Sequence, residues 1–207
     1  MSPDQFFPFL IAAVLVTLSP GPDNLMVLGV GISRGRAQGV AFGLGCALGC
    51  LSHTLLAALG ISALIAASPL AFGALKIGGG LYLLWLGVQA LQSRGGVQIQ
   101  SGSTSEDSLR QRFAKGLLAN AINPKVIVFF LSFLPQFVRV ESGQVAMQTV
   151  LLGITFTVQS MLIFGLLGYF SGSVGQWLNR HARAGLWLDR LAGTSLIGLG
   201  LRRMAGQ

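Results

Sequence analysis

Apolar runs of bilayer-spanning length recur along the whole 207-residue chain, and no other feature limits its folding options so sharply. The runs cover 5–32, 37–67, 70–92, 113–138, 144–171 and 186–204. A helix needs about 20 apolar residues to cross a hydrocarbon core. Backbone inside lipid must satisfy its own hydrogen bonds, so helices are expected, and no alternating pattern suggests a barrel. Composition points the same way: charged residues make up 10% of the chain, against roughly 25% in soluble domains. With 52% hydrophobic residues, a disordered chain is excluded. A soluble globule could not clothe its surface with so little charge. The net charge of +8 comes from basic residues scattered between apolar blocks, which argues against nucleic acid as a partner. Two cysteines cannot build a disulfide framework. The first run has no basic segment before it and no small-residue cleavage site after it, so it is expected to stay in the mature protein.

Sidedness follows from the basic residues. Arg34 and Arg36 lie between the first two runs, Arg94, Arg110, Arg112 and Lys115 around the third gap, and Arg180, Arg183 and Arg190 around the fifth. The opposite side holds Arg139, Arg202 and Arg203, so nine face three. The positive-inside rule then puts both termini outside the cytoplasm. Residues 93–112 form the one long polar stretch and read as a flexible cytoplasmic linker, with Ser108 and Gln111 spaced to cap the next helix. This divides the chain into a first three-helix block (1–92), the linker (93–112) and a second block (113–207). Blocks with an odd number of spans enter the membrane from opposite sides, which makes an inverted repeat. The expected fold is therefore all-α: six transmembrane helices as two inverted three-helix repeats.

The first helix of each block is broken. Ser19-Pro20-Gly21-Pro22-Asp23-Asn24 interrupts the first run, and Asn123-Pro124-Lys125 interrupts the fourth. Proline removes a backbone donor and clashes with the preceding turn. Non-helical backbone at membrane depth survives only inside protein or along a cavity, and paired interruptions are the best sequence pointer to a transport site. Asp23 and Lys125 follow the prolines, and charges in a membrane segment usually mark a pathway or relay. They read either as an ion pair or as partners for a substrate's ammonium and carboxylate.

At these residues the sequence resembles the LysE/RhtB family of amino-acid exporters. The resemblance rests on SPGPDN at 19–24, SRGRAQGVAFGLG at 33–45, SPLAFGALKIGGGLYLLWLG at 68–87 and FAKGLLANAINPK at 113–125. It implies a bacterial inner-membrane exporter of amino acids or close derivatives, with broken helices in inverted repeats and coupling to the proton gradient. One departure stands out: an acidic residue common in the second span of such proteins is replaced here near Cys50.

Other residues divide between chemistry and packing. Cys46, Cys50 and His53 share one helical face and define the rival reading, an exporter of a soft metal or other ion. His53 is also a proton-coupling candidate beside Asp23. In the fifth run Gln159 is expected on a cavity wall, while Thr155 and Thr157 suit ordinary hydrogen bonding. Lys76 is expected to snorkel, and Asp189 and Arg190 to pair or stay wet near a helix mouth. Gly35, Gly39, Gly43, Gly45 and Gly49 read as a close-packing stripe that could serve contacts within one chain or between copies in a homo-oligomer. No enzyme motif, cofactor motif or metal-ligand set is complete, so neither catalysis nor a cofactor is expected. The substrate-binding candidates are Ser19, Pro20, Gly21, Pro22, Asp23, Asn24, Asn123, Pro124, Lys125 and Gln159. The expected partners are a small amino acid, protons and the lipid bilayer.

Overall fold

The computed structural model describes residues 3–19, 21–92, 107–180 and 182–204. Among these the regular structure is entirely helical: α1 (Pro3–Leu18), α2 (Pro22–Arg34), α3 (Arg36–Ala67), α4 (Pro69–Gln92), α5 (Leu109–Ala121), α6 (Pro124–Phe133), α7 (Val145–Tyr169), α8 (Ser171–Arg180) and α9 (Ala182–Met204). Two short 3-10 turns, Leu134–Phe137 and Val140–Ser142, join α6 to α7.

Three stretches are each long and apolar enough to cross a membrane: Arg36–Ile65, Leu70–Gln92 and Val145–Tyr169. Two further spans arise if each bent pair counts as one: Pro3–Leu18 with Pro22–Arg34, bent by 53°, and Leu109–Ala121 with Val126–Phe137, bent by 58°. Both expected interruptions are thus real bends between helices. The sixth expected run is less clear-cut. α9 is 23 residues long but includes Arg183, Asp189, Arg190, Arg202 and Arg203, and it does not join the set of membrane-length apolar helices. Helix α5 begins at Leu109, within the stretch expected to be a linker. The capping box anticipated there is formed: Gln111 N donates to Ser108 Oγ at 3.3 Å and Ser108 N to Gln111 Oε1 at 2.8 Å. The rest of that stretch, 93–106, lies outside the described residues. Helix α8 occupies what the sequence suggests is a loop, since ten residues are too few for a periodic pattern to stand out.

The outside of the bundle is apolar. Phe7, Leu55, Leu59, Leu81 and Leu162 are all exposed, the reverse of a soluble protein and the surface a lipid environment requires. At the centre lies α3, packed on α2, α5 and α7, while α4 packs on α9. The glycine stripe makes this approach possible. A Cβ on Gly49 would stand 2.8 Å from Asn120 Cβ, and one on Gly43 2.8 Å from the Phe164 carbonyl oxygen. Gly35 does something else: with φ of +90° it forms the turn between α2 and α3 and has open space around it. An aromatic core sits between α1, α6 and α7, with Phe129 stacked on Phe133 at 4.8 Å and Phe130 edge-on to Phe156 at 5.0 Å.

Candidate functional site

The prolines that the sequence offers as breakers open new helices. Pro22 stands at the first positions of α2 after Gly21, and Pro124 is the first residue of α6. A proline there loses no helical hydrogen bond, and its fixed φ suits a helix start. In the first break Asn24 stitches the chain back on itself: its Nδ2 donates to the Thr17 carbonyl at 2.9 Å and the Ser19 carbonyl at 3.2 Å. Main-chain bonds cross the second break. Asn123 N donates to Asn120 O at 2.9 Å, and the Asn123 carbonyl accepts from Val126 N and Ile127 N, each at 3.1 Å.

The two breaks meet at a cavity of about 330 Å³, within the usual range for small-molecule sites. Its lining includes Ser19, Gly21, Pro22, Asp23 and Asn24 from the first break and Asn120 and Asn123 from the second. Phe129, Phe130, Phe156, Phe164, Leu86 and Leu196 give it an apolar side, and Thr17, Gln89, Ser160 and Asp189 add polar groups. Pro20 and the side chains of Pro124 and Lys125 lie outside the described residues.

Asn120 links the breaks. Its Nδ2 donates to Asp23 Oδ2 at 2.9 Å, across from α5 to α2. Its carbonyl oxygen lies 2.9 Å from His53 Nε2. A carbonyl only accepts, so Nε2 carries the hydrogen in this contact. Nδ1 is then the acceptor nitrogen, and it is buried with no hydrogen-bond partner among the described residues. Asp23 itself sits in the first turn of α2, where the helix dipole favours negative charge.

Several residues stand elsewhere than the sequence suggests. Gln159 is behind the wall: its Nε2 donates to Thr17 Oγ1 at 2.8 Å and Ser160 Oγ at 2.8 Å, and those two hydroxyl residues line the cavity. Thr155 and Thr157 bond back to the Leu151 and Gly153 carbonyls of their own helix. Lys76 Nζ lies 5.6 Å from the Phe72 ring centroid. Cys50 lines the cavity while Cys46 is fully buried in packing. Among the described residues no group of three His, Cys, Asp or Glu side chains could hold a metal, so the metal-exporter reading finds no support. Asp189 departs most from expectation. It is only 6% exposed and accepts from Ser19 Oγ at 2.9 Å. The neighbouring Arg190 is exposed and lies over the Trp187 ring at 5.7 Å. They neither pair with each other nor stay wet together.

The family model of the LysE type translocator matches residues 14–206, nearly the whole chain. The chain belongs to this family. Among its relatives are a homoserine/homoserine lactone efflux protein of Salmonella typhimurium, 30% identical, with 86% of this chain and 85% of that protein covered. A leucine efflux protein of Enterobacter sp. strain 638 is 32% identical, covering 94% and 90% of the two chains. A threonine efflux protein of Salmonella typhi is 30% identical, covering 95% of each. No solved structure matches the chain. In this LysE type translocator Asn120, Thr17 and Gln89 also line the cavity, although none is expected there from the sequence. Asn120 had a signal, a lone amide in an apolar run three residues before Asn123. Thr17 and Gln89 had none beyond polarity.

Proposed function

We propose that this translocator is a secondary transporter of the bacterial inner membrane that exports an amino acid or close derivative from the cytoplasm in exchange for protons. The observation that carries the reading is a cavity walled by both helix breaks, with Asp23 fastened to the second break through Asn120. A polar-edged, apolar-backed cavity of this size suits a small zwitterion with a hydrocarbon side chain. The substrate-binding set is Ser19 through Asn24 with Asn123, Pro124 and Lys125, and Gln159 supports it through Thr17 and Ser160.

Inverted three-helix repeats, 1–92 and 113–207, would set the two breaks back to back. The repeats rock against each other, and the site opens first to one side and then to the other. The distribution of basic residues favours both termini outside the cytoplasm. Asp23 carries the exchanged proton, and the His53–Asn120–Asp23 chain gives it a second protonatable group close by. The relatives' names support amino acids as the substrate class: homoserine and its lactone, leucine and threonine are each named for export.

The test is uptake of labelled amino acids into inverted vesicles under an imposed pH gradient. Wild type is expected to accumulate at least one of them, and Asp23→Asn to abolish gradient-driven accumulation. Unchanged accumulation by Asp23→Asn removes it as the carrier. His53→Gln is expected to shift the pH dependence while leaving transport in place.

A further inference from the structure

Asp189 has no role in the reading above, yet it lines the same cavity as Asp23. Among the described lining residues these two are the charged ones. Their surroundings differ. Asp23 sits in the first turn of a helix and accepts an amide hydrogen bond from Asn120. Asp189 is interior to α9, away from either helix end, and is held by one serine hydroxyl at 2.9 Å. No lysine or arginine among the described residues pairs with it, and Arg190 turns outward to Trp187.

A carboxylate accepts about four hydrogen bonds. A buried one with a single hydroxyl partner, on a membrane-embedded bundle, is short of both donors and positive charge. A primary ammonium supplies both, with three donors on a compact cation. Besides Asp189, the described polar and aromatic lining residues include amides, hydroxyls and rings, together with Asp23.

We propose that Asp189, positioned by Ser19, is the group that binds the substrate's ammonium and so selects amino compounds over their hydroxy counterparts. Asp23 is thereby left for the exchanged proton. The inference rests on the export reading for the identity of the site, and names the chemical class the site takes: small molecules with a primary ammonium beside an apolar side chain.

The test uses full-length protein in lipid nanodiscs and measures binding, which does not depend on transport. The probes are L-leucine, L-threonine and homoserine lactone, each paired with the compound in which a hydroxyl replaces the ammonium. Wild type is expected to bind at least one amino compound about tenfold or more tightly than its hydroxy partner, the size of one charged hydrogen bond. Asp189→Asn is expected to lose that preference while still binding the hydroxy compound, and Asp189→Glu to regain part of it. If Asp189→Asn does not fold, Asp189→Glu carries the test alone: it should change affinity for the amino compound and leave the hydroxy compound as it was. The inference is overturned if wild type shows no preference, if Asp189→Asn keeps it, or if a variant weakens both members of a pair equally. Amine selectivity that depends on Asp189 without vesicle transport defeats the export reading alone. Transport with unaltered selectivity in Asp189→Asn defeats this inference alone.

Discussion

The two helix breaks have nearly the same bend, 53° and 58°, but they are held open by different means. The first is stitched by side chains: the Asn24 amide spans it, and Ser19 reaches across to Asp189 on another helix. Across the second run main-chain bonds, with Asn123 N donating to Asn120 O and two amides of α6 donating to the Asn123 carbonyl. The charge pattern differs as well. An acid, Asp23, stands in the first turn of α2, whereas α6 begins with no acid in its first turn and Lys125 as its second residue. Helix N-termini favour negative charge, so the first break supplies its own anion and the second leaves that position to something else.

This contrast can be broken at several points. The largest effect is expected where packing joins the second break to the centre. Gly49→Leu would drive a side chain into Asn120, whose Cβ lies 2.8 Å from where a Cβ would begin. The contact involves helix backbones on both sides, so the cost should exceed the about 1–3 kcal/mol usual for overpacking, and the variant should fail to yield monodisperse protein in detergent. Asn120→Leu comes next. It removes the amide that donates to the half-buried Asp23 carboxylate, and a lost hydrogen bond to a charged group costs about 1–3 kcal/mol. Thermal unfolding should fall, and gradient-driven uptake should fall further than stability does. If uptake survives Asn120→Leu, the two breaks are not coupled through this residue.

A smaller effect is expected at the first break. Asn24→Ala deletes both side-chain stitches of the first break and should lower stability by about 1–2 kcal/mol. A loss no larger than about 0.5 kcal/mol, the range of an ordinary surface substitution, would show that these stitches do not hold the break. The smallest effect belongs to Ser108→Ala, which opens the capping box before α5. Its expected cost is about 1 kcal/mol, read as a modest fall in unfolding temperature with transport intact.

Much of the architecture was legible from particular residues. Pro22 and Pro124 announced the breaks, because a proline ring's steric demand is local and needs no knowledge of the rest of the fold. Ser108 and Gln111 announced the cap for the same reason. The spacing of Gly39, Gly43 and Gly49 announced a face for close packing, and all three meet neighbouring backbone or Cβ atoms there. Gly35 shares that spacing but serves a turn with positive φ, which spacing alone cannot separate from packing. Gln159 was legible as a polar wall residue yet stands one layer back, because Thr17 and Ser160 intervene. Asp189 was misread, since an Asp-Arg pair near the end of an apolar run has the local appearance of a wetted interface.

The chain's own order of residues determined that it folds as apolar helices, where two of them break, and that one break carries an acid and the other a base. These follow from hydrophobicity, ring sterics and capping, all of which act over a few neighbouring positions. Which polar groups share the cavity was decided by tertiary structure. Asn120 meets Asp23 across 97 residues and Ser19 meets Asp189 across 170, and such contacts depend on how helices cross. A side chain's burial and partners are properties of the packed bundle, so the second carboxylate becomes visible only when α9 lies against the broken end of α1.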